Sequence, residues 1–140
     1  MNLTKVVLDT NIYVDWMNRG TFEEWMIGRG FARYLSAVVG MELSVGARML
    51  PARRAVEQMV RAYEKAGRLL LPGAREFELA GRTLRRLREE GVEVRQASLV
   101  NDVLVALSAR SIGATVITMD ADFRAIERVV TFQLRVVQPG

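Results

Sequence analysis

The stretch Val6-Val7-Leu8-Asp9-Thr10-Asn11 decides the fold of this chain. Its first three residues form a short apolar run, which is typical of a central parallel strand buried on both faces. Its last three residues supply turn and N-cap chemistry, and a helical pattern of apolar residues follows through Ile12, Trp16 and Met17. The stretch therefore predicts a buried strand that leads directly into a helix.

The same alternation of strand and helix patterns continues along the chain. Further strands are predicted at residues 33–35, 69–71, 116–118 and 131–137. Further helices are predicted at residues 22–26, 37–50, 51–67, 74–90, 99–112 and 123–127. This order indicates an α/β protein with a largely parallel sheet. The sequence shows no repeat, low-complexity tract or linker, so its 140 residues are expected to form one domain.

Composition limits the chemistry that the chain can carry out. It contains no cysteine and no histidine, which excludes disulfides, thiolates and imidazole ligands. Acid–base or metal chemistry must therefore rest on carboxylates, and sites made only of oxygen atoms favour Mg²⁺ or Mn²⁺. No apolar run approaches the roughly 20 residues that span a bilayer, and the N-terminus lacks the features of a signal peptide. We expect a cytoplasmic protein that does not enter a membrane.

Acidic residues stand beside apolar segments at four places. Asp9 and Asp120, the latter followed by Asp122, come directly after predicted strands, whereas Glu42 and Asp102 fall near the starts of predicted helices. Sites in parallel sheets form outside the carboxyl ends of the strands, so these side chains are expected to meet at one edge. A carboxylate in an apolar setting is costly unless it binds a cation or a hydrogen-bond donor. The pattern therefore suggests a shared metal site.

The surroundings of Glu42 make it the hardest of these residues to explain by ordinary structure. Val38, Val45 and Met49 lie at helical spacing around it, which places Glu42 on the inward-facing stripe of its helix. An inward glutamate needs a partner, and no basic residue follows before Arg48.

The aspartates each have an ordinary alternative explanation. Asp9 could act only as a helix N-cap, and Asp122 could cap the short helix after it. Asp102 aligns with Ala106 and Ala109, whose small side chains let the helix approach the sheet, but it could also simply complement the helix dipole.

Clustered carboxylates repel one another unless a divalent cation neutralises them, which is the arrangement of metal-dependent phosphodiester hydrolysis. Hydroxyl and amide side chains nearby are candidates to orient the carboxylates, or are simple cap and turn residues: Thr10, Asn11, Ser36 and Thr118.

With these motifs the chain resembles the PIN-domain ribonucleases of the VapC type, the toxin half of bacterial and archaeal toxin–antitoxin pairs. The resemblance is carried by Val7-Leu8-Asp9-Thr10-Asn11, Leu35-Ser36 leading to Met41-Glu42-Leu43, Asn101-Asp102, and Ile117-Thr118-Met119-Asp120-Ala121-Asp122-Phe123. It implies a single PIN-like domain over residues 1–140, a three-layer α/β/α sandwich with a central, mainly parallel sheet.

The resemblance also implies a function and a set of site residues. Catalytic roles and Mg²⁺ or Mn²⁺ ligation fall to Asp9, Glu42, Asp102 and Asp120, with Asp122 as the alternative or additional ligand at the last position. The implied reaction is endonucleolytic cleavage of RNA that leaves a 3′-hydroxyl and a 5′-phosphate. The implied partners are an RNA substrate, a cognate antitoxin, operator DNA only through that antitoxin, and a second copy in a homodimer.

Two further surfaces have both a functional and an ordinary interpretation. The dense group Trp16, Met17, Phe22, Trp25 and Met26 either forms a groove for an antitoxin helix or packs in the core. The chain carries a net charge of +4, with arginine as its main cation. Four arginines of one predicted helix either track RNA phosphates or cover a solvated face: Arg82, Arg85, Arg86 and Arg88.

Three competing functions are weighed against the nuclease. A haloacid-dehalogenase-type phosphatase requires a second aspartate two positions after the first, where this chain has Asn11. A phosphoacceptor receiver domain requires a lysine after a late strand, whereas the only lysines are Lys5 and Lys65. The remaining alternative is a non-catalytic PIN-fold scaffold that binds RNA or protein.

Overall fold

Five parallel strands form the centre of the fold in a computed structural model that describes residues 3–140. In chain order they are β1 (Thr4–Leu8), β2 (Phe31–Ser36), β3 (Leu69–Leu70), β4 (Thr115–Thr118) and β5 (Gln133–Val136). Their order across the sheet is β3-β2-β1-β4-β5, and every pairing is parallel. The predicted α/β class is confirmed. Residues 1 and 2, the start of the N-terminus that was examined for a signal peptide, lie outside the described part.

Seven helices in residues 3–140 connect the strands and complete a three-layer α/β/α fold. They are α1 (Thr10–Arg19), α2 (Glu23–Met26), α3 (Ala37–Gly46), α4 (Leu50–Lys65), α5 (Ala74–Glu89), α6 (Ala97–Ser111) and α7 (Phe123–Val129). None of these helices is both long enough and apolar enough to cross a membrane.

The strand order places a crevice at the carboxyl end of β1. The chain moves from β1 to β2 and β3 on one side, then returns to β4 and β5 on the other. Such a reversal opens a crevice outside the strand ends, where ligands bind in open parallel sheets. Val6, Val7 and Leu8 are at most 1% exposed, as the apolar run predicts for a central strand. The backbone N–H of Asp9 donates to the carbonyl of Ile117 at 2.9 Å, which brings the ends of β1 and β4 together.

The predicted helix over residues 37–50 is shorter in the structure. α3 ends at Gly46, and a new helix begins at Leu50 with Pro51 in its first turn, where proline needs no backbone hydrogen. Val45 and Met49 are 80% and 71% exposed, so the prediction that they share an inward stripe with Glu42 is wrong. Val38 is buried as predicted.

The aromatic segment before β2 divides between core and surface. Phe22 and Trp25 are buried, and Trp25 packs on Phe31 with ring centroids 4.8 Å apart. The guanidinium of Arg135 lies 5.1 Å from the centroid of the Trp25 ring. For Phe22 and Trp25 the core-packing alternative is therefore correct, whereas Met17 is 51% exposed.

Candidate metal centre

Asp9 lies at the junction of β1 and α1 and is held by hydrogen bonds on both carboxylate oxygens. It is 5% exposed, and its Oδ1 accepts from the backbone N–H of Thr10 at 2.8 Å, so it does cap α1. Its Oδ2 accepts from the Thr118 hydroxyl at 2.7 Å and from the Asn11 amide at 3.4 Å. Burial raises the pKa of Asp9, the hydrogen bonds from Thr118 and Thr10 oppose that rise, and the charges of Glu42 and Asp120 add to it.

Thr118 and Asn11 tie the two strand ends into one network. The Asn11 amide nitrogen also donates to the Thr118 hydroxyl at 3.2 Å, and the Asn11 oxygen accepts from the backbone N–H of Met119 at 3.2 Å. The Thr118 hydroxyl in turn accepts from the backbone N–H of Asp120 at 3.0 Å. Thr118 and Asn11, which were candidates to orient carboxylates, thus both contact Asp9.

Glu42 reaches the same edge from α3 and is anchored by two side chains. Its Oε1 accepts from the Thr10 hydroxyl at 2.6 Å, and its Oε2 accepts from the Asn101 amide at 3.3 Å. These donors are the partner that an inward glutamate needs. Sequence reasoning missed Asn101 as a site residue, although it stands next to Asp102 in a quoted motif. Ser36 instead accepts from the backbone N–H groups of Val38 and Val39, and so caps α3.

Asp102, on the second turn of α6, is the least satisfied carboxylate of the group. Burial, followed by the charges of Asp9, Asp120, Glu42 and Asp122, raises its pKa from 3.8 to about 8. No hydrogen bond to its carboxylate is found among residues 3–140. The structure therefore brings all the predicted carboxylates within electrostatic reach of Asp102.

Asp120 and Asp122 form a turn between β4 and α7. The Asp120 Oδ1 accepts from the backbone N–H of Asp122 at 2.8 Å. Asp122 occupies the N-cap position of α7, but its side chain makes no capping hydrogen bond, so that predicted contact is absent from the described structure. Asp120 is half-buried and Asp122 is exposed.

Comparison with known proteins places this geometry. The PIN domain family matches residues 6–129, which is most of the chain. This chain belongs to the PIN domain family. No curated protein sequence matches it.

Solved structures with a similar fold come from toxin–antitoxin complexes. A chain of VapBC2 from Rickettsia felis, bound to a DNA fragment from its promoter, is 18% identical with a TM-score of 0.70, over 96% of this chain and 100% of that chain. A chain of VapBC-1 from nontypeable Haemophilus influenzae is 20% identical with a TM-score of 0.70, over 95% and 98%. A chain of VapBC-5 from Mycobacterium tuberculosis is 24% identical with a TM-score of 0.68, over 96% and 99%. These similarities show that the fold is shared along the whole PIN domain.

The donor set of this PIN domain fits a hard divalent cation. Every candidate ligand is a carboxylate oxygen, and Mg²⁺ and Mn²⁺ prefer such donors. The raised pKa values of Asp9 and Asp102 show that the cluster carries unfavourable negative charge, which a cation would neutralise. Within residues 3–140 no three acidic groups are placed to hold an ion as they stand. Ligation therefore requires these side chains to draw together, and the assignment of individual ligands stays a prediction.

Two cavities adjoin the carboxylates on opposite sides. One of about 370 Å³ is bounded by α6 and α7, and Asp102, Asp120 and Asp122 contribute to its lining. The other, about 590 Å³, is bounded by α1, α3 and α4, and its lining is largely apolar apart from Thr10 and Glu42 at one end. The PIN domain thus offers one charged and one mainly apolar approach to the same site.

The arginines predicted on α5 do not form one uniform surface. Arg82 pairs with Glu78 at 2.6 Å on the exposed face of the helix. Arg86 donates to the carbonyl of Val129 at 2.6 Å and so fastens α5 to the end of α7. Arg85 and Arg88 are exposed.

Proposed function

We propose that this PIN domain is a metal-dependent endoribonuclease and the toxin component of a type II toxin–antitoxin pair. The observation that carries the proposal is the convergence of carboxylates from β1, α3, α6 and the β4–α7 turn on Asp102. A fold gains nothing from the mutual repulsion of these groups, so their proximity favours a cation-binding role. Asp9, Glu42, Asp102 and Asp120 are the proposed ligands, with Asp122 as an additional or alternative one.

The proposed chemistry divides between the cation and the protein. Mg²⁺ or Mn²⁺ supplies Lewis acidity and charge neutralisation for phosphodiester hydrolysis. Thr118 and Asn11 fix the orientation of Asp9, while Thr10 and Asn101 fix Glu42, so the protein sets the positions of the donor oxygens. The expected products carry a 3′-hydroxyl and a 5′-phosphate.

A ribonuclease assay with defined single-stranded RNA tests the proposal. We expect cleavage by the wild type with Mg²⁺ or Mn²⁺, and none with a chelator or in Asp9→Asn. Asp15→Asn is the matched control, because Asp15 lies on the same helix but contacts Thr21 and Arg19 rather than the cluster. Equal cleavage in all samples would contradict the metal-nuclease assignment. RNA binding without cleavage by the wild type would favour the scaffold alternative.

The toxin assignment draws support from the solved toxin–antitoxin complexes and from the apolar cavity beside the site. Val14 and Met17 are 42% and 51% exposed and line this cavity with Leu43 and Val56. An apolar face that ends at Glu42 suits an amphipathic antitoxin segment lying across the carboxylates. Operator DNA would be bound only through the antitoxin, and the PIN domain is expected to form a homodimer.

Induced expression in a bacterial host tests the toxin role. We expect growth arrest with the wild type and with Asp15→Asn, and normal growth with Asp9→Asn. Growth arrest that persists in Asp9→Asn at equal protein level would show that toxicity does not depend on the carboxylate site.

A further inference from the structure

The charged cavity beside the carboxylates also contains two arginines. It is bounded by α6 and α7, and its lining includes Asp102 and Asp120 together with Arg124 and Arg128. Its volume of about 370 Å³ lies near the lower end of the roughly 300–1,000 Å³ typical of small-ligand pockets. The cavity has room for one group of nucleotide size and not for a duplex.

The two arginines project from a helix that is firmly attached to the rest of the domain. Arg124 and Arg128 are four residues apart, so they lie on the same face of α7. The opposite face buries Ile126 and Val129, and Arg86 from α5 donates to the Val129 carbonyl. The guanidinium groups are therefore presented from a fixed support.

Both guanidinium groups are available to an anion. Arg128 is exposed and forms no ion pair within residues 3–140. Arg124 contacts Glu127 at 3.3 Å, but its side chain is 55% exposed, and such surface pairs are weak. Arginine pairs bidentately with phosphate oxygens, which makes a phosphate the expected ligand.

We propose that this cavity receives one unpaired RNA nucleotide next to the cut, and that Arg124 and Arg128 bind the phosphate flanking it. The inference rests on the proposed nuclease function and adds the substrate form, a single strand, because only an unpaired nucleotide fits the cavity. It also assigns phosphate binding to α7 in preference to α5, where Arg82 and Arg86 already have partners. The carboxylates lie at the same cavity, so the bound strand continues into the candidate metal centre.

Two double variants with the same loss of charge test the proposal. Arg124→Gln/Arg128→Gln removes the cavity arginines, and Arg85→Gln/Arg88→Gln removes two exposed arginines of α5. Binding of a short, labelled single-stranded RNA is measured by fluorescence anisotropy as a function of salt, in an Asp102→Asn background that prevents turnover. Cleavage is measured separately with the arginine variants in the wild-type background. Thermal unfolding verifies that each variant is folded.

We expect the α7 double variant to bind RNA roughly a hundredfold more weakly, about tenfold for each lost charge-assisted hydrogen bond. The slope of log affinity against log salt should fall by about 1.4, the value for two phosphate contacts on a single strand. kcat/KM for cleavage should fall in parallel, whereas the α5 double variant should stay within a few-fold of its parent.

The outcomes separate this inference from the nuclease assignment. Equal affinity in both double variants, or a larger loss in the α5 variant, would overturn the role of the cavity even if the wild type cleaves RNA. Selective loss of binding in the α7 variant without any cleavage by the wild type would support the cavity and contradict the nuclease. Equal binding of a fully paired duplex and a single strand by the parent protein would contradict the single-strand assignment.

Discussion

The two sides of the carboxylate cluster are held in different ways. On the held side, Asp9 and Glu42 accept hydrogen bonds from hydroxyl and amide side chains on both carboxylate oxygens or from the backbone. On the open side, Asp102, Asp120 and Asp122 line a cavity, and no hydrogen bond to the Asp102 carboxylate is found in residues 3–140. The held side fixes where donor oxygens lie, whereas the open side carries the charge that a cation or substrate must satisfy.

This difference separates stability from function within one site. Hydrogen bonds to Asp9 offset part of the cost of burying it, so that residue contributes to both the fold and the site. Asp102 has no such compensation, and its raised pKa marks a group that the cation-free fold accommodates at a cost. Active sites commonly contain groups whose retention lowers stability.

The largest expected effect comes from neutralising one carboxylate on each side. Asp9→Asn and Asp102→Asn should each reduce RNA cleavage by about 1,000-fold, because each removes a ligand of the cation that supplies several kcal/mol of transition-state stabilisation. Their effects on the fold should have opposite signs at pH 7 in chelator. Thermal unfolding should show a lower midpoint for Asp9→Asn and a higher one for Asp102→Asn. A lower midpoint for both would contradict the distinction between the held and open sides.

A smaller effect is expected from removing the hydroxyl that bridges the strand ends. Thr118→Val keeps the shape of a fully buried side chain but removes the donor to Asp9 and the acceptor for the Asp120 N–H. The free energy of unfolding should fall by about 1–3 kcal/mol, because buried polar groups lose their partners. Cleavage should fall by about 10–100-fold, as is typical when groups that orient metal ligands are lost.

Urea unfolding and steady-state cleavage measure the two effects of Thr118→Val. Thr115→Val on the same strand is the matched control, because its hydroxyl contacts the Gln133 side chain at the surface. Equal losses in the two threonine variants would mean that the contact with Asp9 has no special role.

A still smaller effect is expected for the donor that sequence reasoning missed. Asn101→Ala should reduce kcat by about tenfold, because one of the two side chains that orient Glu42 is lost. The midpoint of thermal unfolding should change little, since Asn101 is only half-buried. Asn101→Gln should restore part of the activity. A change in KM alone, with kcat intact, would contradict a role in positioning Glu42.

The smallest expected effect is a dependence of stability on pH. The Asp102 pKa is 3.8 in a model peptide and about 8 in the fold, so the folded chain binds more protons between these values. Its contribution to the free energy of unfolding therefore falls as pH rises through this window. In chelator, the stability gained by Asp102→Asn over the wild type should grow from pH 5 to pH 8. Urea unfolding at both pH values measures it, and a gain that shrinks with pH would refute the assigned cause.

The sequence predicts the strand-borne part of the site because its signals are local. The apolar run before Asp9 and the strand pattern before Asp120 each fix a position relative to a strand end. The parallel sheet then brings the two strand ends together, as the direct hydrogen bond between Asp9 and Ile117 shows. The predicted second strand similarly lies within the observed β2.

The helix-borne part of the site was predicted less well because its contacts are remote in sequence. Glu42 does reach the site, but Val45 and Met49 do not share its environment, since α3 ends before them. Asn101 contacts Glu42 from 59 positions away, and no local pattern reveals such a pairing. Ser36 shows the reverse: a hydroxyl near the site in sequence that serves the backbone of α3.

The central claim is that these carboxylates together bind a divalent cation, and calorimetric titration with Mn²⁺ tests it most directly. The wild type and Asp15→Asn are predicted to bind Mn²⁺ with the same affinity, and Asp102→Asn to bind at least tenfold more weakly. Binding of equal strength in all three proteins, or no binding by the wild type, would contradict the claim.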